Sequence, residues 1–590
     1  MIAICNLTFG VMMTTNFNLF NYFKISLVLL FTLGMHFFMP NPGGSGLYFA
    51  FNVMTWLFMS IFIGLGLWQV TLNKKLYYST FHVISGAALA LLILPLSFGS
   101  PFSEYAIPRL IGLATGLLCL LAIAQFEIGK VQRQTMLAIV IIGVLIEALS
   151  GIFQLYIPDL VRSLPFIPAI KNPSGVFQQT NVMSSFMTTG IVLSFYLLAQ
   201  RKFISNRLFK RKLSWQLIIL ITIPLASFIL CYIQSKTGIY GLIIALIMLT
   251  PYLLANRSKT IFLAALLLIV GSTVGALAKP EPIQDPAKIK PLFETEDVRT
   301  DIIGIGFELI KQNPIGGYGY GNFEKTYREY HLAKARANSE TPMPINNLAH
   351  PHNEILLWGI EGGVVALLGI LLFAVAYLSL FYKQHIVKTL TFFALITPLL
   401  LHSQTEYPFY HSAIHWLVFL LIINASIFAT GNVRSIALSQ TFAVRTFALI
   451  IPIVAIPFLL TTLQTGYIVE KYKRENYRHP EQLLSIINPT VWAEEIVFVQ
   501  TTLKFYDGKD QLDAKLLTEY IDWAKVYLER KPREEMYNNI AMALQILKKL
   551  QQPYNEGEAI KLLMDAQRLF PKRQMWGLDS GSLKALGSRF

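Results

Sequence analysis

Asn313-Pro314-Ile315-Gly316-Gly317-Tyr318-Gly319-Tyr320-Gly321 and His350-Pro351-His352-Asn353-Glu354 punctuate one long polar stretch that starts near residue 279. Before it and after it the sequence is apolar: residues 260–278 carry no charge, and the chain turns apolar again from Ile355 onward. Within the stretch, Arg299-Thr300-Asp301 opens a short amphipathic segment, Ile302 to Ile310. A polar loop between long apolar runs decides the fold class, because about 20 mainly apolar residues are what a helix needs to cross a bilayer.

Working outward, such runs recur at 24–40, 47–70, 77–98, 106–127, 135–157, 181–199, 215–235, 237–255, 260–278, 353–382, 389–402, 412–430 and 446–463. They predict about 12–13 transmembrane helices. Composition agrees: the 590 residues are 54% hydrophobic and 14% charged, against roughly 25% charge in a soluble domain. The net charge of +15 does not point to nucleic acid, because the basic residues fall in short clusters between apolar runs. Such clusters mark loop sidedness. With Arg201, Lys202, Arg207, Lys210, Arg211 and Lys212 cytoplasmic, alternation puts five further groups on the same side. These are Lys74 with Lys75, Lys130 with Arg133, Arg257 with Lys259, Lys383 with Lys388, and Arg434 with Arg445. The N-terminus is then expected to be cytoplasmic, without a cleavable signal peptide. The loop 279–352 and everything after 463 are expected on the opposite, periplasmic side. Cys5, Cys119 and Cys231 are too scattered for a disulfide framework or a metal site.

The expected architecture is therefore an all-α polytopic membrane protein with a soluble α-helical domain at its C-terminus. Residues 1–463 form the membrane part and 464–590 the helical domain. In that tail, Ala514–Leu528, Glu535–Leu550 and Glu556–Phe570 have helical periodicity with short polar turns and Pro571 after the last, a pattern of tetratricopeptide (TPR-like) style.

Several outer turns carry groups with two readings. Met39 to Gly46 is a Pro/Gly hairpin. Arg109 is either an interface anchor or an anion partner. Lys171, Gln178 and Asn181, ahead of a span, either cap that helix or hydrogen-bond a sugar or phosphate. Lys236 in Gln234-Ser235-Lys236-Thr237-Gly238 is either a polar hairpin tip or an anion contact at the mouth of the bundle. Glu294, Glu296, Asp297 and Asp301 lack a ligand-like spacing and read as a solvated charge run rather than a metal site. Leu401 to His411 is denser in Tyr, His and Glu than a hairpin requires, and reads as interface aromatics or as a sugar-stacking rim. Glu147, inside a span, has no assignable role.

The polar stretch itself carries the chemistry. Pro351 biases His350 toward an extended backbone, so the next membrane helix is predicted to begin near His352 or Asn353. Free N–H groups and the dipole at a helix start favour an anion. The same dipole disfavours imidazolium, which leaves His352 neutral and able to accept a proton. His350, two residues away, shares no face with it on a regular element and is given a supporting role. The glycines of 316–321 allow a close backbone approach, and the planar fork of Arg299 suits a diphosphate or pairs with nearby acids.

Arg299, the Pro314–Phe323 turn, and His350-Pro351-His352-Asn353 followed by Glu361-Gly362-Gly363 resemble the signature of the O-antigen ligase/polymerase superfamily. Phe177-Gln178-Gln179-Thr180-Asn181 and the basic residue in Ser235-Lys236-Thr237-Gly238 fit the same pattern, and the resemblance spans roughly 170–425. Glu406-Tyr407-Pro408-Phe409 and the soluble tail are most similar to the bacterial O-linked protein oligosaccharyltransferases that glycosylate pilins. The resemblance implies a GT-C-like membrane fold in a bacterial inner membrane. The donor is then an oligosaccharide on undecaprenyl diphosphate, and the acceptor a Ser or Thr hydroxyl of a pilin or another secreted protein. It implies His352 as the catalytic residue and Arg299 and Lys236 as diphosphate ligands. His350, Asn353, Gln178, Gln179, Asn181, Glu406, Tyr407 and Tyr318 support them. No metal or other cofactor is implied, and the reaction is an inverting single displacement. The superfamily usually has arginine where this chain has Lys236, which implies a point-charge contact in place of a bidentate grip. Rival expectations are a lipid A core or growing glycan as acceptor and, from another class, a polysaccharide or lipid transporter. A transporter would need ionisable groups at mid-membrane and related halves.

Overall fold

The computed structural model describes residues 18–126, 129–163, 168, 172–200, 212–279, 296–337 and 348–570. Its first nine long helices are α1 (Leu19–Thr32), α2 (Ala50–Asn73), α3 (Thr80–Ile93), α4 (Ile107–Ile123), α5 (Lys130–Tyr156), α6 (Thr180–Leu198), α7 (Lys212–Ile233), α8 (Lys236–Ala255) and α9 (Lys259–Ala278). The polar stretch contributes α10 (Glu296–Gln312) and α11 (Phe323–Ala337). Then come α12 (Glu354–Ser379), α13 (Ile386–Ser403), α14 (Ala413–Thr430) and α15 (Phe442–Arg474), and in the tail α16 (Ala493–Gln511), α17 (Ala514–Arg530), α18 (Glu534–Lys549) and α19 (Glu556–Leu569).

Thirteen helices among the described residues are long and apolar enough to span a bilayer, and each coincides with one of the expected runs. A helix satisfies its own backbone groups, which is why apolar runs of this length take no other form in lipid. Burial orders them. In α6, 94% of the spanning window is enclosed, because α5, α7, α8 and α13 surround it. In α9 and α15 the figure is 17%, so these helices stand at the rim. α9 is held on α7 by close backbone approach: a Cβ on Gly271 or Gly275 would fall within 2.3 Å of the Pro224 or Phe228 carbonyl. The small-residue pair four apart is the usual device where no hydrophobic effect drives helices together.

Several loops are joined to one another at two ends of the bundle. At one end a strand after α2, β1 (Lys75–Tyr78), pairs antiparallel with β2 (Arg434–Ala437), Lys75 opposite Ala437 and Tyr78 opposite Arg434. This two-stranded ribbon, absent from the sequence expectation, ties two basic loops directly together. At the other end, Asn52 Nδ2 donates to His411 O at 2.9 Å and Thr237 bonds Thr405 at 3.0 Å. The basic cluster 201–211, Lys171, Glu294, Cys5 and Pro571 lie outside the described residues, as do the side chains of Glu296 and Asp297.

α15 runs on unbroken past residue 463 to Arg474 and leads into the tail. The tail helices enclose Phe505, Leu517, Tyr520, Ile540 and Leu547, and Leu332 from α11 joins that core. α11 is also held by Arg328, whose guanidinium donates to the carbonyls of Leu528 and Glu529, and by Glu324 opposite Arg533 at 3.8 Å. The central loop and the tail thus share one apolar core.

Two ionisable groups depart from the expectations. Arg109 is not an interface anchor: its side chain is only 10% exposed, paired with Glu361, and sandwiched over the rings of Tyr320 and Trp358 at 4.6 and 4.5 Å. Glu147, unassigned from sequence, bonds His36 Nδ1 at 2.6 Å and accepts from Val176 N–H at 3.0 Å, tying α5 to the loop ahead of α6.

Candidate active site

The start of α12 sets the geometry. Asn353 is its N-cap, accepting from Leu356 N–H at 2.9 Å, while Asn353 Nδ2 donates to Gln404 O at 3.1 Å. A capping side chain satisfies one free N–H of the first turn; here it also fixes that turn to the end of α13. His352 sits immediately before the cap, with φ of 54°. This left-handed conformation is uncommon but tolerated better by His than by most residues. It breaks the regular spacing and brings both histidines to one aromatic ring: Tyr407 lies 4.7 Å from His350 and 5.8 Å from His352. The two imidazoles are 6.5 Å apart and nearly perpendicular. The sequence argument that His350 and His352 face apart is therefore corrected, because it assumed a regular element that the His352 backbone interrupts.

His350 is buried between Tyr407 and Tyr410, with Nε2 3.9 Å from Glu354 Oε1, beyond hydrogen-bond reach. Burial, then the charges of His352 and Arg109, hold its pKa well below the ordinary histidine range, so the ring is neutral at neutral pH. His352 is half-buried, the more accessible of the two.

Glu406 organises the opposite wall. Its carboxylate accepts from Gln179 Nε2 at 2.7 Å, from Asn181 Nδ2 and from His402 Nε2 at 3.3 Å. Burial pushes this carboxyl up, but the hydrogen bond and charge of His402, the Asn181 amide and the charge of His352 outweigh it and hold it below the usual carboxylate range. Gln179 and Asn181 are thus turned inward onto Glu406 rather than capping α6. Gln178, with φ of 61°, makes the turn before them. Behind Glu406 a polar chain enters the bundle: His402 Nδ1 meets Ser185 Oγ at 2.7 Å, and Ser185 meets His415 Nε2 at 3.0 Å. Sequence reading placed His402 only in the polar rim of Leu401 to His411 and passed over Ser185 and His415. The available signal was polar residues inside apolar helices, which carry a functional or structural reason by default.

The glycine turn is bound to a break in α12. Gly363 has φ of 60° and ψ of −156°, so the helix interrupts at Glu361-Gly362-Gly363. The carbonyls freed there accept from Tyr318 N–H at 2.8 Å and Gly319 N–H at 2.9 Å, while Val364 N–H donates to Pro314 O at 2.7 Å. A Cβ on Gly317 would meet the Glu361 carbonyl at 2.7 Å, so the two glycine motifs require each other. Glu361 adds an acceptor for Phe323 N–H at 3.1 Å besides its pairing with Arg109. Tyr318, expected near the site, instead bonds Gln312 at 2.7 Å and serves this junction.

The two expected diphosphate ligands approach from separate elements. Lys236 is exposed at the first turn of α8, and its neighbour Thr237 bonds Thr405, next to Glu406. Arg299 lies in α10, whose Ile302, Ile305 and Leu309 pack on Leu356, Leu357 and Ile360 of α12 just past His352; its side chain lies outside the described residues. Among the described residues no group of three or more His, Cys, Asp or Glu is placed to hold a metal ion.

Residues 221–371 match the family described as O-Antigen ligase, and residues 173–198 match Protein glycosylation ligase. Residues 390–576 match Virulence factor membrane-bound polymerase, C-terminal. Comparison with curated proteins gives no match. The matched segments contain Gln178 to Asn181, Lys236, Arg299, the glycine turn, His350 to Asn353 and Glu406, and the ligase families indicate glycosyl-transfer chemistry in a membrane protein.

Proposed function

On the premise that the chain belongs to the O-antigen ligase superfamily and is similar there to protein glycosylation ligases, we propose that it moves an oligosaccharide en bloc from undecaprenyl diphosphate to a Ser or Thr hydroxyl of a periplasmic protein. The acceptor is a pilin or another secreted protein, and the site faces the periplasmic side of a bacterial inner membrane. The observation that best supports this reading is the meeting of three separate sequence motifs at Glu406 and its neighbour Tyr407. The His350–Asn353 turn, the Gln178–Asn181 loop and the Glu406 turn form one wall-and-floor arrangement at a helix start.

In this mechanism the acceptor oxygen attacks the anomeric carbon as the bond from that carbon to the diphosphate oxygen breaks. His352 takes the hydroxyl proton, and undecaprenyl diphosphate leaves with the bonding electrons. Negative charge grows on the leaving diphosphate, where Arg299 and Lys236 act, supported by the open N–H groups of α12. One displacement inverts the anomeric centre. His350, neutral and packed at a tilt against Tyr407, keeps that ring and the His352 backbone in place. The transfer is proposed to need no metal.

The match of residues 390–576 to a membrane-bound polymerase favours a second reading, in which the acceptor is a growing glycan or lipid A core. Co-expression with a lipid-linked glycan pathway and candidate secreted proteins separates the two. Mass spectrometry should find glycan on a protein Ser or Thr, and His352→Ala should abolish it while leaving the protein folded and inserted. Glycan only on lipid A or longer glycan chains would replace the first reading by the second. Transfer retained by His352→Ala would remove the proposed base.

A further inference from the structure

α15 is a rim helix, packed mainly against α2, and its Ile453, Val454, Phe458 and Leu460 are exposed to the surroundings of the bundle. Arg445, stacked on Trp68 at 5.5 Å, marks its end near the basic loops. At 1.5 Å per residue and about 30 Å of hydrocarbon, roughly 20 residues carry a helix across, so α15 reaches the far boundary near Thr465. The chain then turns back. Residues 485–488 lie alongside the helix at that level: Gln464 Nε2 donates to Ser485 O at 2.7 Å, and Gln464 Oε1 accepts from Ile487 N–H at 3.3 Å. Thr465 Oγ1 donates to Asn488 O at 2.7 Å, and Asn488 Nδ2 donates to Phe458 O at 3.1 Å and Thr462 Oγ1 at 3.2 Å. The polar groups of the returning chain are thus tied inward to α15, the condition for backbone to lie at membrane depth. Outward stand Leu484 and Ile487, 87% and 70% exposed, at the level of the exposed apolar strip Ile453, Leu460 and Tyr467 of α15, seven residues apart on one face.

We propose that the segment 480–488 is an interfacial anchor, with Leu484 and Ile487 inserted among the acyl chains of the leaflet on the site's side. Its partner is phospholipid, because the strip it extends is the lipid-facing side of a spanning helix. Just beyond it, Trp492 sits against Gly466 and 4.7 Å from the ring of Tyr48. Anchor and Trp492 together fix the height of the tail above the membrane, and with it α11 and the junction at Glu361.

The test places a benzophenone amino acid at Leu484, at Ile487 and, as a water-facing control, at Leu512, which is 58% exposed on the tail. The full chain is irradiated in membranes of phosphatidylethanolamine and phosphatidylglycerol and weighed intact. Phospholipid adducts at 484 and 487 and none at 512 are expected. A cross-link to a second copy or another protein would overturn the proposal, as would adduct-free protein at both positions. All three positions are exposed, so the substitutions leave the core untouched, and monodispersity on gel filtration checks the fold.

Discussion

Replacing Glu406 by glutamine tests the centre of the site at constant shape. The carboxylate is buried and accepts from Gln179, Asn181 and His402. A glutamine keeps one acceptor and presents an amide donor where the other acceptor stood, facing a donor. One charge-assisted hydrogen bond of about 1.5–3 kcal/mol is lost and one buried donor is stranded at about 1–3 kcal/mol. The sum, roughly 2.5–6 kcal/mol, corresponds to a rise of about seventyfold or more in the population with the loop released. Hydrogen exchange in lipid nanodiscs should show faster exchange in residues 172–181 of Glu406→Gln, with exchange in α6 below Ser185 little changed. In transfer assays the donor KM should rise more than kcat falls. The pH dependence has a fixed sign. Because the folded-state pKa is depressed, the contribution of the carboxylate is complete above its unfolded value of about 4.3. It is lost as pH falls through the lower folded value. Protection of 172–181 should therefore fall in acid in the native protein and stay flat in Glu406→Gln. Unchanged exchange in the variant at neutral pH, with an unchanged unfolding midpoint, would refute the clamp.

Further outcomes follow from the junction and the anion contacts. Gly363→Ala places a Cβ 2.2 Å from the Ile315 carbonyl at φ of 60° and ψ of −156°; this backbone region, open essentially to glycine alone, costs another residue about 1–3 kcal/mol, so a lowered thermal midpoint is expected, and an unchanged one would contradict the break in α12. Arg109→Met leaves Glu361 buried without its cation and should destabilise by about 3–5 kcal/mol, measured by thermal unfolding in detergent, with partial recovery on adding Glu361→Gln. Lys236→Met should raise the donor KM several-fold and Lys236→Arg should restore it; equal activity of all three would remove Lys236 from the diphosphate site.

The amino-acid sequence by itself determined the thirteen spans, since apolar length is a local property that a bilayer reads directly. It also determined that His352 stands beside a helix start, because Pro351 and the capping Asn353 act on their own neighbours. What only the tertiary structure decided are relations between distant segments. The positive φ of His352 goes with Asn353 docking on Gln404, a contact 51 residues away in the chain, so the shared Tyr407 wall was not legible from the spacing of the two histidines. Arg109 looked like an interface residue until Glu361, more than two hundred positions later, closed on it. Asn181 read equally as a helix cap or a sugar contact until Glu406 gathered it together with Gln179. The glycines of 316–321 and of 362–363 each read as a common turn. Only their hydrogen bonds to one another show that the polar stretch is built onto a break in the membrane helix it precedes, since a helix interrupted in that way needs donors from elsewhere in the chain.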